Sequence, residues 1–134
     1  MGNQSGKTAW VTGSSSGIGE ALVKAFVSGG GTAILSGRRV AELERVARET
    51  EAPDRCHILP FDTEDFASLG SMVAQAVAFT GRVDILVNNA GISQRSLAID
   101  TDFLVYERIV SVDLMAPIAL TQALLPHLLA QGSG

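Results

Sequence analysis

Thr8-Ala9-Trp10-Val11-Thr12-Gly13-Ser14-Ser15-Ser16-Gly17-Ile18-Gly19 is an apolar run that stops at a glycine-rich turn and passes into a helical pattern. A strand entering such a turn places backbone N–H groups, unobstructed by side chains, at the positive end of a helix dipole, which is a seat for phosphate. Gly13 allows a turn with φ > 0, Gly17 lets a diphosphate approach the backbone, and Gly19 lets the new helix pack close to the strand. The spacing is Gly-x-x-x-Gly-x-Gly, a variant of the Gly-x-Gly-x-x-Gly dinucleotide fingerprint. Gly and Ser clusters also mark ordinary loops, so the surrounding pattern decides.

Working outward, Thr8–Val11 reads as a buried strand, and Ile18–Val27 as a helix with Ile18, Leu22, Ala25 and Phe26 at helical spacing, closed by Gly29-Gly30-Gly31. Thr32–Leu35 is a second strand. Arg39–Thr50 is an amphipathic helix with Val40, Leu43, Val46 and Ala47 inward and Glu42, Glu44, Arg45, Arg48 and Glu49 towards water. Pro53 precedes a third strand, Cys56–Leu59. A helix from near Glu64 carries Phe66, Leu69, Val73, Val77 and Ala78 as its apolar stripe and ends at Gly81. Val83–Val87 is a fourth strand running into Asn88-Asn89-Ala90-Gly91, and a loop of about ten residues leads to a long helical stretch from roughly 103 to 129.

Near-continuous apolar strands alternating with helices predict an α/β fold, a doubly wound parallel sheet covered on both faces, with residues 1–134 as one nucleotide-binding domain. The functional edge is then the carboxyl ends of the strands. There the glycine turn, Gly37-Arg38-Arg39, Asp62 and Asn88-Asn89-Ala90-Gly91 converge on one crevice.

Composition narrows the function. A 46% hydrophobic content supports a real core, and a formal net charge of −4 argues against a general nucleic-acid surface. The single cysteine, Cys56, excludes an internal disulfide and fits a reducing, cytoplasmic setting. No apolar run precedes the first strand. The apolar stretch Ile109–Leu129 is interrupted by Asp113, Pro117, Gln122, Pro126 and His127, which favours a buried helix over a membrane span. His57 and His127 stand apart from any Cys/His cluster, so no metal site is expected.

In the dinucleotide fingerprint, an acidic residue about 20 positions after the glycines binds the ribose 2′-hydroxyl and selects NAD. Here the region reads Ser36-Gly37-Arg38-Arg39. With no carboxylate to repel a 2′-phosphate and two guanidiniums to bind one, NADP(H) is expected over NAD(H). The competing reading is two solvated residues at a helix start. Cations there oppose the dipole and want a compensating anion.

Thr12-Gly13-Ser14-Ser15-Ser16-Gly17-Ile18-Gly19 and Asn88-Asn89-Ala90-Gly91 together resemble the Thr-Gly-x-x-x-Gly-Ile-Gly and Asn-Asn-Ala-Gly motifs of the short-chain dehydrogenase/reductase family, a Rossmann-like fold. The resemblance implies an oxidoreductase moving hydride between a nicotinamide cofactor and a carbonyl or hydroxyl substrate. By the same resemblance Ser14, Ser16 and Ile18 line the phosphate side, Asp62 and Thr63 meet the adenine, and Asn88, Ala90 and Gly91 border the ribose. Thr12 ties the first loop to Asn88-Asn89-Ala90-Gly91. The loop Ile92–Ser96 is placed to border nicotinamide and substrate, where Arg95 is read either as an anion contact or as an ordinary exposed arginine.

The family carries a Ser and a Tyr-x-x-x-Lys pair further along, and this sequence stops before them. Tyr106 is followed four residues later by Val110 and is read as a helix-surface or packing residue. At the family's relay asparagine stands Asp113, read either as a tolerated variation, paired or partly solvated, or as a change that weakens the relay. The closing Gln131-Gly132-Ser133-Gly134 is a turn of the kind that leads into a further strand in the family. The expectation is therefore a portion of the fold with an unpaired fourth strand. By resemblance the long helix, with Leu114, Ile118, Leu125 and Leu128, is a homo-oligomer contact. A different class of function stays open: a non-catalytic nucleotide-binding or assembly module.

Overall fold

The computed structural model describes residues 2–134. Four parallel strands, β1 (Thr8–Thr12), β2 (Thr32–Ser36), β3 (Cys56–Ile58) and β4 (Ile85–Val87), stand in the order β3-β2-β1-β4. Trp10 pairs with Ile34 on one side and Leu86 on the other, and Ile34 pairs with His57. The chain winds outward from β1 to β3 and then crosses back to β4. The reversal between β1 and β4 opens a crevice at the carboxyl ends of those strands.

Both faces of the sheet are covered, which is why its strands lack a polar face. Trp10 and Ile34 turn to one side and pack with Leu59, Val73, Ala76, Leu120 and Leu124. Val11, Ala33 and Leu35 turn to the other and pack with Val23, Val27, Leu43 and Val46. The period of two thus sorts one apolar run into two cores. The helices α1 (Gly17–Ser28) and α2 (Val40–Arg48) cover the second face. The first face is covered by α3 (Leu69–Thr80) and α5 (Ala116–Gln131).

A buried polar chain crosses three strands. Trp10 Nε1 donates to Ser36 Oγ (2.8 Å), and Ser36 Oγ donates to the Leu59 carbonyl (2.7 Å). At the other end of the sheet the Thr8 amide donates to Asp84 Oδ2 (2.7 Å), tying the start of β1 to the start of β4. Burial raises the Asp84 carboxyl pKa, but Arg82 and the Thr8 amide outweigh it and hold the group below its ordinary value.

Several expected inward residues lie elsewhere. Ile18 is 74% exposed, Val40 and Phe66 are exposed, and so are Ala25 and Ala78; Val23, Val27 and Ala76 supply the inward contacts instead. The helix expected from near Glu64 begins with a 3-10 turn at Phe66–Ser68 before α3. His57 stacks on Phe79 at 4.7 Å between ring centroids. Arg45, expected in open water, is half-buried between α1 and α2.

The long helical stretch runs from 103 to 131 as α4 (Phe103–Val110), a π-helical segment (Ser111–Met115) and α5. Pro117 has no N–H to give the Asp113 carbonyl. Nearby, the Ala116 amide instead reaches back five residues to Ser111, the bonding pattern of a π turn. Asp102 caps the start by accepting from the Leu104 amide (2.9 Å). By length and composition Phe103–Gln131 could cross a membrane. Here it lies along the sheet with Val112, Ala116, Leu120 and Leu124 buried. The buried helix expected here is one-sided: Leu114, Met115, Ile118, Leu125 and Leu129 are exposed, while Leu128, expected on that outer face, packs partly buried against the core.

Candidate nucleotide site

The crevice between β1 and β4 opens into a pocket of about 600 Å³, within the usual range for sites that take a cofactor. Its floor is the glycine turn. Gly13 and Gly17 have φ of +65° and +58°. A Cβ on Gly13 would sit 2.7 Å from Ala90 Cα, and one on Gly19 would sit 2.3 Å from the Gly13 carbonyl oxygen. Beside Gly17 nothing lies within 4 Å. Two of the glycines therefore allow backbones to touch, and the third leaves room for a ligand.

The turn is welded to the segment after β4. Thr12 Oγ1 donates to the Val87 carbonyl (3.3 Å) and accepts from the amides of Asn89 (3.1 Å) and Ala90 (3.0 Å). Asn89 Nδ2 donates to the carbonyls of Thr12 and Gly13, each at 3.1 Å. Thr12 thus occupies the tying position the sequence suggested. Asn89 shares that role, a contact that its place inside the motif does not by itself reveal.

Ser16 stands at the N-cap of α1 in an extended conformation, and its side chain makes no capping bond. The first amides of α1 have no intrahelical acceptor. With Ser16 and Ile18 both lining the pocket, this uncapped helix start faces the space where an anion would be held. An adenine dinucleotide diphosphate fits this cradle: open space at Gly17, an uncapped helix start and enough volume.

Ser14 is placed differently from the expectation. Its Oγ and its amide both donate to the Ser36 carbonyl, each at 3.2 Å, and it is fully buried, so its hydroxyl serves the β1–β2 junction and not the pocket. Arg38 and Arg39 line the pocket and are exposed, and Arg39 Nη2 donates to Ser15 Oγ (3.2 Å). Asp62 and Thr63 line the pocket too, and Asp62 Oδ1 accepts from the Glu64 amide (3.0 Å). Ala90 and Gly91 line it as well. Asn88 does not: its Nδ2 donates to Thr121 Oγ1 on α5 (3.1 Å).

Asp113 is exposed, and its Oδ1 accepts from the Ile92 amide (2.9 Å). Its charge is therefore solvated and hydrogen-bonded, which removes the penalty of uncompensated burial. It anchors the beginning of the loop after β4. Arg108 also reaches the pocket from α4, with its Nε 3.5 Å from Glu64 Oε2. No local signal in the sequence marks it, because it arrives from a distant element. Tyr106 lies exposed on α4. Among the described residues no group of His, Cys, Asp and Glu is arranged to hold a metal ion.

Comparison with known proteins matches this geometry. The family described as short chain dehydrogenase matches residues 7–134. Dehydrogenase/reductase SDR family member 7 of Homo sapiens is 40% identical over 93% of this chain and 38% of its own length. The Anopheles gambiae dehydrogenase/reductase SDR family protein 7-like is 42% identical over 96% of this chain and 43% of its own length. The chain thus spans about two fifths of the curated relatives it matches. Among solved structures, a metagenomic short-chain oxidoreductase in complex with NADP superposes with a TM-score of 0.90 at 30% identity, over 98% of this chain and 61% of the other. The 3-ketoacyl-(acyl-carrier-protein) reductase of Brucella melitensis complexed with NADH gives 0.88 at 35% identity, over 96% and 54%.

Proposed function

This chain belongs to the short chain dehydrogenase family, and from that premise we propose that it forms the cofactor-binding part of an NADP(H)-dependent oxidoreductase acting on a carbonyl or hydroxyl. The nicotinamide, when bound, supplies the hydride chemistry. What these residues contribute is the seat. The uncapped start of α1 would hold the diphosphate, Arg38 and Arg39 the 2′-phosphate, and Asp62 and Thr63 the adenine side. Asp113, through the Ile92 amide, would fix the start of the loop on the substrate side.

The observation that carries the choice of NADP(H) is the pair Arg38 and Arg39 on the pocket wall beside the glycine turn, with no carboxylate in the Ser36-Gly37-Arg38-Arg39 segment. Relatives of similar fold have been solved with NADP and with NADH, so the preference rests on these side chains. Calorimetric titration of NADPH and NADH tests it. NADPH should bind more tightly, and R38S/R39S should weaken NADPH by roughly tenfold or more while leaving NADH unchanged, the size expected for lost charge-assisted bonds. Equal affinity for the two nucleotides before substitution would overturn the preference.

A second reading, a nucleotide-binding assembly module, draws on the exposed apolar side of α5 at Ile118, Leu125 and Leu129. In either case that side would meet a second copy of the protein. Light scattering of the purified protein would show a dimer or larger if so, and a monomer if not.

A further inference from the structure

Arg45 projects from the middle of α2, and each of its five N–H groups has an acceptor. Nε donates to Glu42 (2.9 Å), and Nη1 donates to Glu49 (3.0 Å) and Glu20 Oε1 (3.3 Å). Nη2 donates to Glu20 Oε2 (2.9 Å) and to the Ser15 carbonyl oxygen (3.3 Å). The carboxylates are themselves held, because Lys24 Nζ lies 2.6 Å from Glu20 and 2.8 Å from Glu49. A guanidinium is a rigid plane, so acceptors spread around its edge leave it one orientation.

Two of the Arg45 bonds stay within α2 and its C-cap and two cross to Glu20 on α1, pairs that on a surface contribute little stability. The bond to Ser15 is of another kind. Ser15 sits in the middle of the glycine turn, between Gly13 and Gly17, and its side chain accepts from Arg39. A trans peptide points its N–H opposite its C=O, so the contact from Arg45 sets which way the Ser16 amide faces at the mouth of α1. A turn rich in glycine has many conformations to lose, and it holds an anion well only when its amides are already aimed.

We infer that Arg45 is a positioning residue for the nucleotide site: it pins the Ser15 carbonyl and so presents the following backbone amide to a diphosphate. The inference rests on the reading of the glycine turn as a diphosphate seat, and is independent of the choice between NADP(H) and NAD(H). Arg45 does not line the pocket. It acts through the turn, and its guanidinium is oriented by Glu20, Glu42 and Glu49.

The test uses two probes that divide the cofactor. ADP-ribose carries the diphosphate without a 2′-phosphate; adenosine 2′-monophosphate carries the 2′-phosphate without the diphosphate. Calorimetry on R45Q should show ADP-ribose weakened roughly fivefold or more, in the range that residues without ligand contact exert, with adenosine 2′-monophosphate unchanged. R45K is measured alongside, in case R45Q does not fold. Lysine keeps the charge but lacks the fork that joins Glu20 to Ser15, so the same selective loss is expected. Unchanged ADP-ribose affinity in a folded variant would overturn the inference, and so would an equal loss for both probes, which marks general loosening. If the unsubstituted protein binds ADP-ribose but not adenosine 2′-monophosphate, the NADP(H) preference falls and the role of Arg45 is still decided by the ADP-ribose result.

Discussion

The Thr12 hydroxyl lies 3.0 Å from the Ala90 amide nitrogen, and this one side chain joins the end of β1 to the segment after β4. The same oxygen accepts from the Asn89 amide and donates to the Val87 carbonyl. Valine at this position would keep the shape and remove all three bonds, leaving the Ala90 amide without an acceptor, while the Asn89 amide keeps the Val87 carbonyl (3.0 Å). T12V should lose about 2–3 kcal/mol of stability by urea denaturation, and T12S should recover most of it. A T12V protein as stable as the original would show that the Asn89 carboxamide holds the junction alone.

Close contact of backbones makes a second prediction. The 2.3 Å approach of a Cβ on Gly19 to the Gly13 carbonyl leaves no flexible atom to yield. G19A should cost about 1–3 kcal/mol through overpacking and weaken nucleotide binding by displacing the turn. Gly70 is the control, since it lies in the first turn of α3 with nothing within 4 Å. G70A should raise stability by about 0.5–1 kcal/mol, because alanine restricts the unfolded chain and favours the helix. Thermal melts of the two variants should therefore move in opposite directions.

Ser36 tests the buried polar chain. S36A leaves the Trp10 indole N–H without an acceptor and the Leu59 carbonyl without this donor, in a region where Trp10 is fully buried. A loss of about 2 kcal/mol or more is expected. Trp10 is the single tryptophan, so its fluorescence reports the change directly. In a double-mutant cycle W10F and S36A should be non-additive by about 1 kcal/mol; strict additivity would mean that the indole is satisfied some other way.

The charge cluster behind the turn has a pH signature. Arg45, with help from Lys24, lowers the Glu20 carboxyl from its ordinary 4.5 to about 2. Its folded pKa is depressed, so its contribution to stability is complete above about pH 4.5 and is lost as pH falls towards 2. Glu49 is lowered in the same sense by Lys24 and Arg45. E20Q should be less stable than the original protein at pH 7, and the gap between their urea midpoints should close as pH is taken from 5 towards 2. High salt should narrow the gap at pH 7 by screening these partly exposed pairs. A gap independent of pH would show that the charge of Glu20 is immaterial.

Much of the fold was readable because strand and helix periods are local. The apolar run at Thr8–Thr12, the glycine turn and the helix after it follow one another within a few residues, and the same alternation recurs to β4. Errors fell where burial depends on a neighbour. Ile18 has the right spacing for an inward residue of α1, yet at the helix start it meets the pocket and not the sheet. Ala78 and Ala76 are alike by composition, and only the packing of α3 against the sheet and α5 chose between them.

The sequence by itself determined the order of elements, the glycine spacing and the absence of a carboxylate before Arg38 and Arg39, since each is a property of residues adjacent in the chain. Tertiary structure decided which way the side chains of that site turn. It sent the Ser14 hydroxyl into the sheet, Asn88 towards α5, Asn89 under the turn and Arg45 onto Ser15. The reason is physical: spacing sets where a residue stands along the chain, but a hydrogen bond needs a partner at about 3 Å, and those partners come from segments 22 to 76 residues away.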